Sequence, residues 1–200
     1  MIIAVTGCPG SGKSVLSREI ADHGWELVDV DDLGRTVVED DAGVLAALAA
    51  AFGEDILLGD GSLDRRLLAG RAFASREANA ALNWIVHPPL IRRLERRIGE
   101  LRRDGADAVV DCALVFEWGI GGRFDLVICV AADEETRKRR LMSRDGRSES
   151  EVHDLFAAQF PEPEKIRRAD LVLNNTDADE SMIRRFGALL AEAPRFFPGE

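Results

Sequence analysis

The sequence predicts an α/β fold in which helices cover a five-stranded parallel sheet on both faces. Five short runs are rich in apolar residues, and stretches with helical periodicity separate them. The runs are residues 1–5, 25–30, 108–110, 126–130 and 171–173. Continuous apolar runs are typical of parallel strands that are buried on both faces. Polar residues follow these runs, at the edge of the sheet where α/β folds bind ligands.

Residues 7–14 read Gly-Cys-Pro-Gly-Ser-Gly-Lys-Ser and fill the pattern G-x-x-x-x-G-K-[ST]. We call them the phosphate loop, because a strand, such a loop and a helix together form a phosphate cradle. Backbone N–H groups converge there on phosphate oxygens, beside a helix N-terminus with partial positive charge. Lys13 can reach the terminal phosphates, and the Ser14 hydroxyl can bind Mg²⁺. The predicted contacts to a nucleoside triphosphate are Gly7, Pro9, Gly10, Ser11, Gly12, Lys13, Ser14 and Val15.

Composition narrows the classes of function. The chain has 200 residues, the size of one domain, with 46% hydrophobic and 31% charged residues. A formal net charge of −10 argues against broad binding to nucleic acid or to anionic membranes. No apolar stretch is long enough for a membrane span, and we see no signal peptide, so we expect a cytoplasmic protein.

Three cysteines, Cys8, Cys112 and Cys129, lack the spacing of metal ligands, so we expect them to be reduced. Cys8 lies in the phosphate loop, where a positive field could lower its pKa. The alternative is that Cys8 is only a small residue that fits the loop.

Residues 33–107 are too many for one crossover helix. Their pattern predicts four helices, at residues 44–52, 64–73, 78–86 and 89–103. We interpret them as a helical insert in a core formed by residues 1–32 and 108–200. An apolar stripe near the end of the chain predicts one more helix. Its members are Met182, Ile183, Phe186, Leu189 and Leu190.

A basic segment follows the fourth strand and contains Arg137, Arg139, Arg140, Arg144 and Arg147. Arg140 and Arg144 are spaced i,i+4 and share a helix face, so a joint role in a lid over ATP is expected at about residues 140–160. Such arginines neutralise charge on a transferred phosphoryl group. The alternative is a solvated basic face, which is our interpretation for Lys138 and Arg139.

Two aspartates are candidates for the chemistry. Asp31 follows the second strand, which we expect to lie beside the phosphate-loop strand, and it could accept the proton of a substrate hydroxyl. An aspartate there can also cap a helix; Asp32 suits that role better, with Leu33 starting the helix. Asp111 follows the third strand and can hold Mg²⁺ through water, or serve only as a turn carboxylate.

A phosphate loop alone does not separate motors, switch GTPases and small-molecule kinases. The N-K-x-D and D-x-x-G motifs of GTPases are absent from their expected places. Further segments are more specific than the phosphate loop. The most specific are His87-Pro88, the aspartates after the second strand and the segment D-C-A-L-V-F-E. The segments are residues 6–14, 28–35, 52–57, 60–68, 85–90, 111–117, 140–147, Gln159, Lys165 and 169–175. In this order they resemble dephospho-coenzyme A kinases along nearly the whole chain.

The resemblance implies a P-loop NTPase fold of three α/β/α layers, in which the helical insert binds the substrate. It implies transfer of the γ-phosphoryl group of ATP, with Mg²⁺, to the ribose 3′-hydroxyl of dephospho-coenzyme A. This reaction is the last step of coenzyme A synthesis. It names dephospho-coenzyme A as the small-molecule partner and indicates no oligomeric state.

Residue roles follow by position from the resemblance. Asp31 is the general base, Lys13 and Arg140 join it in catalysis, and Ser14 holds Mg²⁺ with Asp111 through water. Arg140 and Arg144 lie near ATP, and Asn175 lies near adenine. The acceptor side comprises Asp31, Arg35, Arg65, His87, Asp111 and Glu117, although Arg65 can also be an exposed helix residue.

One departure and two alternatives remain. Leu155 stands where the family often has an arginine, and Arg147 could substitute for that contact. The chain could be another P-loop small-molecule kinase, acting on a nucleoside or a nucleoside monophosphate. It could also be a regulatory protein that binds a nucleoside triphosphate and signals to a partner.

Overall fold

The computed structural model describes residues 1–176 and 184–188. Five strands form one sheet in which every neighbouring pair is parallel, in the order β2-β3-β1-β4-β5. The strands are β1 Ile2–Thr6, β2 Glu26–Asp29, β3 Ala108–Asp111, β4 Leu126–Ala131 and β5 Leu171–Asn174. The predicted α/β class and the five parallel strands are confirmed.

The strand order corrects one expectation. β1 lies between β3 and β4, whereas β2 pairs with β3, so the strand before Asp31 is not the neighbour of the phosphate-loop strand. The exposed residues of β2 fit its place at the edge of the sheet, whereas β1 is buried throughout. After residues 30–107 the chain re-enters the sheet as β3, which pairs with β2 on one side and with β1 on the other. In that register Asp111 lies opposite Val5, two residues before the phosphate loop.

Helices account for most of the remaining described chain. They are α1 Lys13–Asp22, α2 Val30–Asp40, α3 Ala42–Phe52, α4 Arg65–Ala72, α5 Arg76–Asp104, α6 Glu134–Asp145, α7 Glu149–Ala157 and α8 Glu162–Arg168. In residues 1–176 and 184–188, no helix combines the length and apolar character needed to cross a bilayer.

One hydrophobic cluster joins α1 to the central strands. Its buried members are Ile3, Val5, Leu16, Ile20, Val109, Ile128, Val130, Leu173 and Phe186. Phe186 comes from helical residues 184–188, within the apolar stripe predicted near the end of the chain. The other stripe members, Met182, Ile183, Leu189 and Leu190, lie outside the described residues.

The chain divides into two compact units. The first contains Met1–Asp29 and the described residues from Glu100 onward, and it includes the whole sheet. The second is Val30–Gly99, which contains α2, α3, α4 and most of α5.

Helix α2 begins earlier than expected. Its first residue is Val30, directly after β2, so both Asp31 and Asp32 lie in its first turn. The predicted start at Leu33, with Asp32 as the N-cap, is wrong. Two carboxylates in a first turn are favourable because they face the positive end of the helix dipole.

Helix α5 is continuous where the sequence predicts two helices. Pro88 and Pro89 lie inside it and remove the N–H groups that would bond to the carbonyls of Trp84 and Ile85. A buried stripe continues past the prolines at helical spacing, through Leu90, Leu94, Ile98 and Leu101. Packing along this stripe offsets the missing hydrogen bonds, and the expectation of a break is wrong.

Candidate active site

The phosphate loop makes a tight turn between β1 and α1. Gly12 is left-handed, at φ 95° and ψ 15°, directly before the first residue of α1. Gly10 has φ 80°, and a Cβ added there would lie 2.7 Å from the carbonyl oxygen of Arg137. Glycine is therefore required at both positions for conformation, and at Gly10 also for space.

Lys13 lies at the start of α1 and reaches the end of β3. Its Nζ lies 2.7 Å from Asp111 Oδ1 and 3.4 Å from Ser14 Oγ. The Asp111 side chain is 3% exposed and that of Lys13 is 17% exposed, so the ion pair is largely buried. The structure thus brings together the predicted residues Lys13, Ser14 and Asp111.

This group suits a magnesium ion that binds together with phosphates. Mg²⁺ takes oxygen ligands, keeps several waters and is usually held by one or two carboxylates and substrate phosphates. Ser14 supplies a hydroxyl and Asp111 a carboxylate, and both contact the same ammonium group. These two residues would hold the ion, Asp111 through water.

Arg140 and Asn175 approach the phosphate loop from α6 and the end of β5. The guanidinium of Arg140 donates to the carbonyl of Asn175 at 2.9 Å and to that of Gly10 at 3.4 Å. The amide of Asn175 donates to the Ser11 carbonyl at 2.8 Å. Both residues therefore hold backbone carbonyls of the loop in position.

Arg144 has a different partner. Its guanidinium donates two hydrogen bonds to Asp145, at 2.7 and 3.0 Å, and its side chain is 74% exposed. Arg147 lies 3.7 Å from the same carboxylate, and Leu155 is half-buried in α7. One turn of α6 thus separates an arginine at the phosphate loop from one at the surface.

Arg137 belongs to the basic segment that was expected to lie over ATP, but it is not among the predicted ATP contacts. It is 5% exposed, and its Nε donates to the Ala132 carbonyl at 2.9 Å and lies 3.5 Å from Glu162 Oε1. Its guanidinium stacks over the Phe156 ring at 4.5 Å. A position one turn before Arg140, on the same helix, is the signal that could have singled it out from the basic run.

Glu117 and Lys165 form a buried ion pair. Lys165 Nζ lies 2.9 Å from Glu117 Oε1, and Lys165 is fully buried. Glu117 Oε1 also accepts the backbone N–H of Phe160 at 2.8 Å. The sequence placed Glu117 on the acceptor side and gave Lys165 no role, although its match to the family pattern marked it.

All three cysteines are free and buried. Burial raises the pKa of Cys8, and this outweighs the opposing effects of Arg137 and Lys165. Burial also raises the pKa of Cys129 to about 12. The option of a lowered pKa at Cys8 is wrong, and Cys8 is a small residue that fits the loop.

Comparison with known proteins decides the family. A family model described as dephospho-CoA kinase matches residues 1–180. Two relatives named dephospho-CoA kinase come from Corynebacterium glutamicum, 40% identical over 95% of this chain and 96% of theirs, and Geobacter sulfurreducens, 41% identical over 96% and 98%. The chain belongs to the dephospho-CoA kinase family. The crystal structure of TT1252 from Thermus thermophilus is also similar, with a TM-score of 0.75 and 39% identity, covering 96% of this chain and 97% of that one.

The dephospho-CoA kinase resemblance assigned four residues of the helical unit to the acceptor. Asp31 is exposed and lies one turn before Arg35 on α2. Arg35 pairs with Asp32 at 2.6 Å. Arg65 pairs with Glu39 at 2.5 Å and donates to the carbonyl of Arg35 at 3.2 Å. The structure therefore brings Arg35 and Arg65 together.

His87 lies in α5, in the same helical unit. It is half-buried, and burial lowers its pKa from the ordinary value of 6.5, so the neutral imidazole is favoured near neutral pH. Leu90, one turn further on, contacts α2, since a Cβ added at Gly34 would lie 3.3 Å from it. This dephospho-CoA kinase family member thus carries four of its six predicted acceptor residues on α2, α4 and α5, whereas Asp111 and Glu117 belong to the first compact unit.

Proposed function

We propose that the chain phosphorylates dephospho-coenzyme A at the ribose 3′-hydroxyl, with ATP as donor, to give coenzyme A and ADP. This would be the last step of coenzyme A synthesis, in the cytoplasm. The observation that carries the proposal is the joining of a phosphate loop to the group Lys13, Ser14 and Asp111, in a chain of the dephospho-CoA kinase family.

The donor side uses the first compact unit. Backbone N–H groups of the phosphate loop bind phosphate oxygens, and Lys13 neutralises charge that develops on the transferred group. Arg140, anchored at the Gly10 carbonyl, adds a second positive charge beside the loop. Mg²⁺, held by Ser14 and by Asp111 through water, would withdraw charge from the β- and γ-phosphates when bound.

On the acceptor side, Asp31 acts as the general base. It takes the proton of the 3′-hydroxyl while that oxygen bonds to the γ-phosphorus, and the bond from the γ-phosphorus to the bridging oxygen breaks, so that ADP leaves. Arg35 and Arg65 suit the phosphates of the acceptor because a guanidinium binds such groups in a fork. Neutral His87 can hydrogen-bond without adding charge.

A coupled assay of ADP release, run over a panel of acceptors, tests the proposal. The panel contains dephospho-coenzyme A, adenosine, AMP and no acceptor. We expect turnover with dephospho-coenzyme A and a product phosphorylated at the 3′ position, identified by phosphorus NMR. Turnover with adenosine or AMP, and none with dephospho-coenzyme A, would sink the assignment. ADP release at one rate without regard to acceptor would favour a regulatory NTPase.

A further inference from the structure

A fully buried ammonium group lies behind the phosphate loop. Lys165 Nζ contacts three oxygens: Glu117 Oε1 at 2.9 Å, the Gln159 side chain at 3.1 Å and the Ala113 carbonyl at 2.6 Å. An ammonium has three N–H donors, so each has an acceptor. A buried charge persists in a fold only with such compensation, and this one is well compensated.

Two routes lead from the pair to the phosphate loop. Glu117 Oε1 accepts the N–H of Phe160, and the carbonyl of Phe160 accepts from the thiol of Cys8, in the loop, at 3.7 Å. The carbonyl of Ala113 accepts from Lys165 and also, at 3.1 Å, from the hydroxyl of Thr6, which immediately precedes the loop. Glu117 is therefore linked to Cys8 through Phe160, and Lys165 is linked to Thr6 through the Ala113 carbonyl.

The same network holds the end of the segment predicted as the lid. Gln159 and Phe160 close residues 140–160, and each makes a hydrogen bond to one member of the pair. Phe156 and Phe160 also line a cavity of about 280 Å³, together with Cys8 and Arg137. Phe160 therefore meets the pair through its backbone N–H, Cys8 through its carbonyl, and the guanidinium of Arg168 at 5.0 Å through its ring.

We propose that Glu117 and Lys165 are positioning residues for ATP, which hold Phe160 and the Ala113 carbonyl against the phosphate loop. They set the loop conformation that binds nucleotide, and neither is required to touch the acceptor. This assigns Glu117 to the donor side, in place of the acceptor role implied by the family resemblance. The inference rests on the proposed binding of ATP at the phosphate loop, and not on the identity of the acceptor.

One atom supports the rival role and must be tested. Glu117 Oε2 is buried and has no hydrogen-bond partner among the described residues. A hydroxyl of the acceptor could use that oxygen, and Glu117 would then affect the KM for the acceptor. The two roles therefore differ in which substrate responds to a change at Glu117.

The variants are Glu117→Gln, Lys165→Met and the double variant. Removing one member of a buried pair leaves an uncompensated charge and is strongly destabilising, whereas removing both is often tolerated. We therefore expect the Tm to fall in each single variant and to recover in the double variant. The matched control is Asp40→Asn with Arg93→Met, an exposed ion pair of the helical unit.

Calorimetry with a non-hydrolysable ATP analogue and Mg²⁺ gives the decisive measurement, because it needs no acceptor. We expect the double variant to bind the analogue at least about 10-fold more weakly than the wild type, the loss that about 1.4 kcal/mol produces. The KM for dephospho-coenzyme A should stay within about 2-fold of the wild-type value. A merely structural pair would recover nucleotide affinity along with the Tm.

Thr6→Val provides a second test if the double variant does not fold. It removes the hydrogen bond from the Thr6 hydroxyl to the Ala113 carbonyl and leaves the ion pair intact. We therefore expect the affinity for the ATP analogue to fall, but by less than in the double variant. Unchanged nucleotide affinity in the variants that fold would overturn the inference, as would a rise confined to the KM for the acceptor. If the wild type does not phosphorylate dephospho-coenzyme A, only the proposed function fails, since the nucleotide affinities remain measurable.

Discussion

Lys13 is the residue on which the donor side depends, and its ammonium neutralises a buried carboxylate within the fold. In Lys13→Ala, we expect ATP affinity and kcat to fall at least about 10-fold, because a phosphate contact is lost. Stability should fall by about 3 kcal/mol, since Asp111 is left buried without its ion pair. Calorimetry and urea unfolding measure the two effects.

Lys138→Ala is the control for Lys13. Lys138 pairs with Glu149, whose side chain is 72% exposed. An exposed pair contributes at most about 1 kcal/mol, so this variant should retain stability and ATP affinity. A folded Lys13→Ala protein with normal ATP affinity would contradict the interpretation of the phosphate loop.

Asp31 can be tested against its neighbour in the same helical turn. If it is the general base, Asp31→Asn should lower kcat roughly 10²- to 10⁴-fold and leave the Kd for ATP nearly unchanged. Asp32→Asn changes the same charge in the same turn and removes the exposed pair with Arg35, without a proposed role in proton transfer, so its effect on kcat should be far smaller. Steady-state kinetics compare the two, and near-normal turnover of Asp31→Asn would remove it from that role.

The residues of the phosphate loop could be predicted because their positions are fixed by the spacing of a short motif. Lys13 and Ser14 occupy fixed places in a motif whose backbone geometry is set within eight residues. The role of Lys165 could not be found that way, because its contacts depend on residues far along the chain. Ala113 and Lys165 are 52 residues apart in sequence.

At the scale of elements, the backbone of α6 lies directly against the phosphate loop. A methyl group at Gly10 would lie 2.7 Å from the Arg137 carbonyl, and φ there is 80°. Gly10→Ala must therefore shift the loop or the helix, and we expect at least about 10-fold weaker binding of ATP, equivalent to about 1.4 kcal/mol. Fluorescence titration with a labelled nucleotide checks this.

The matched control is Gly70→Ala, inside α4. A Cβ there meets nothing within 4 Å, so the substitution should stabilise the helix by about 0.5–1 kcal/mol and leave nucleotide affinity unchanged. Equal affinities of the two variants would show that close approach at Gly10 is unimportant for the loop.

The sequence predicted where the strands lie along the chain, but not their order in the sheet. Apolar runs located all five strands, because strands buried on both faces have a local signature. The position of β3 between β1 and β2 could not be obtained, since strand order depends on the path of residues 30–107. Helix α5 was divided at Pro88 because the cost of proline is local, whereas the packing that offsets it extends over the following turns.

At the scale of the whole molecule, His87 should make stability depend on pH. Burial holds its pKa in the fold below the unfolded value of 6.5, so the unfolded chain binds more protons between those two values. The free energy of unfolding should therefore fall as the pH is lowered from 6.5 through the folded pKa. Urea unfolding between about pH 5 and 8 measures this slope.

His87→Gln should flatten the dependence of the free energy of unfolding on pH. It should change the free energy of unfolding less above pH 6.5 than below it. The control is His153→Gln, which makes the same substitution at a histidine whose side chain is 78% exposed. An identical slope in the His87→Gln protein would remove His87 from this role.

The central place of β1 has a consequence for how the chain is made. Its partners on the two sides are residues 108–111 and 126–129, whereas Val30–Gly99 forms a compact unit of helices. On the ribosome the first strand can therefore pair on one side only once residue 111 has emerged, and on the other side only once residue 129 has emerged, whereas the helices of Val30–Gly99 emerge earlier and can already fold. The strand that leads into the phosphate loop is thus translated before both of its partners, and the sheet around the loop is completed only after the helical unit has been synthesised.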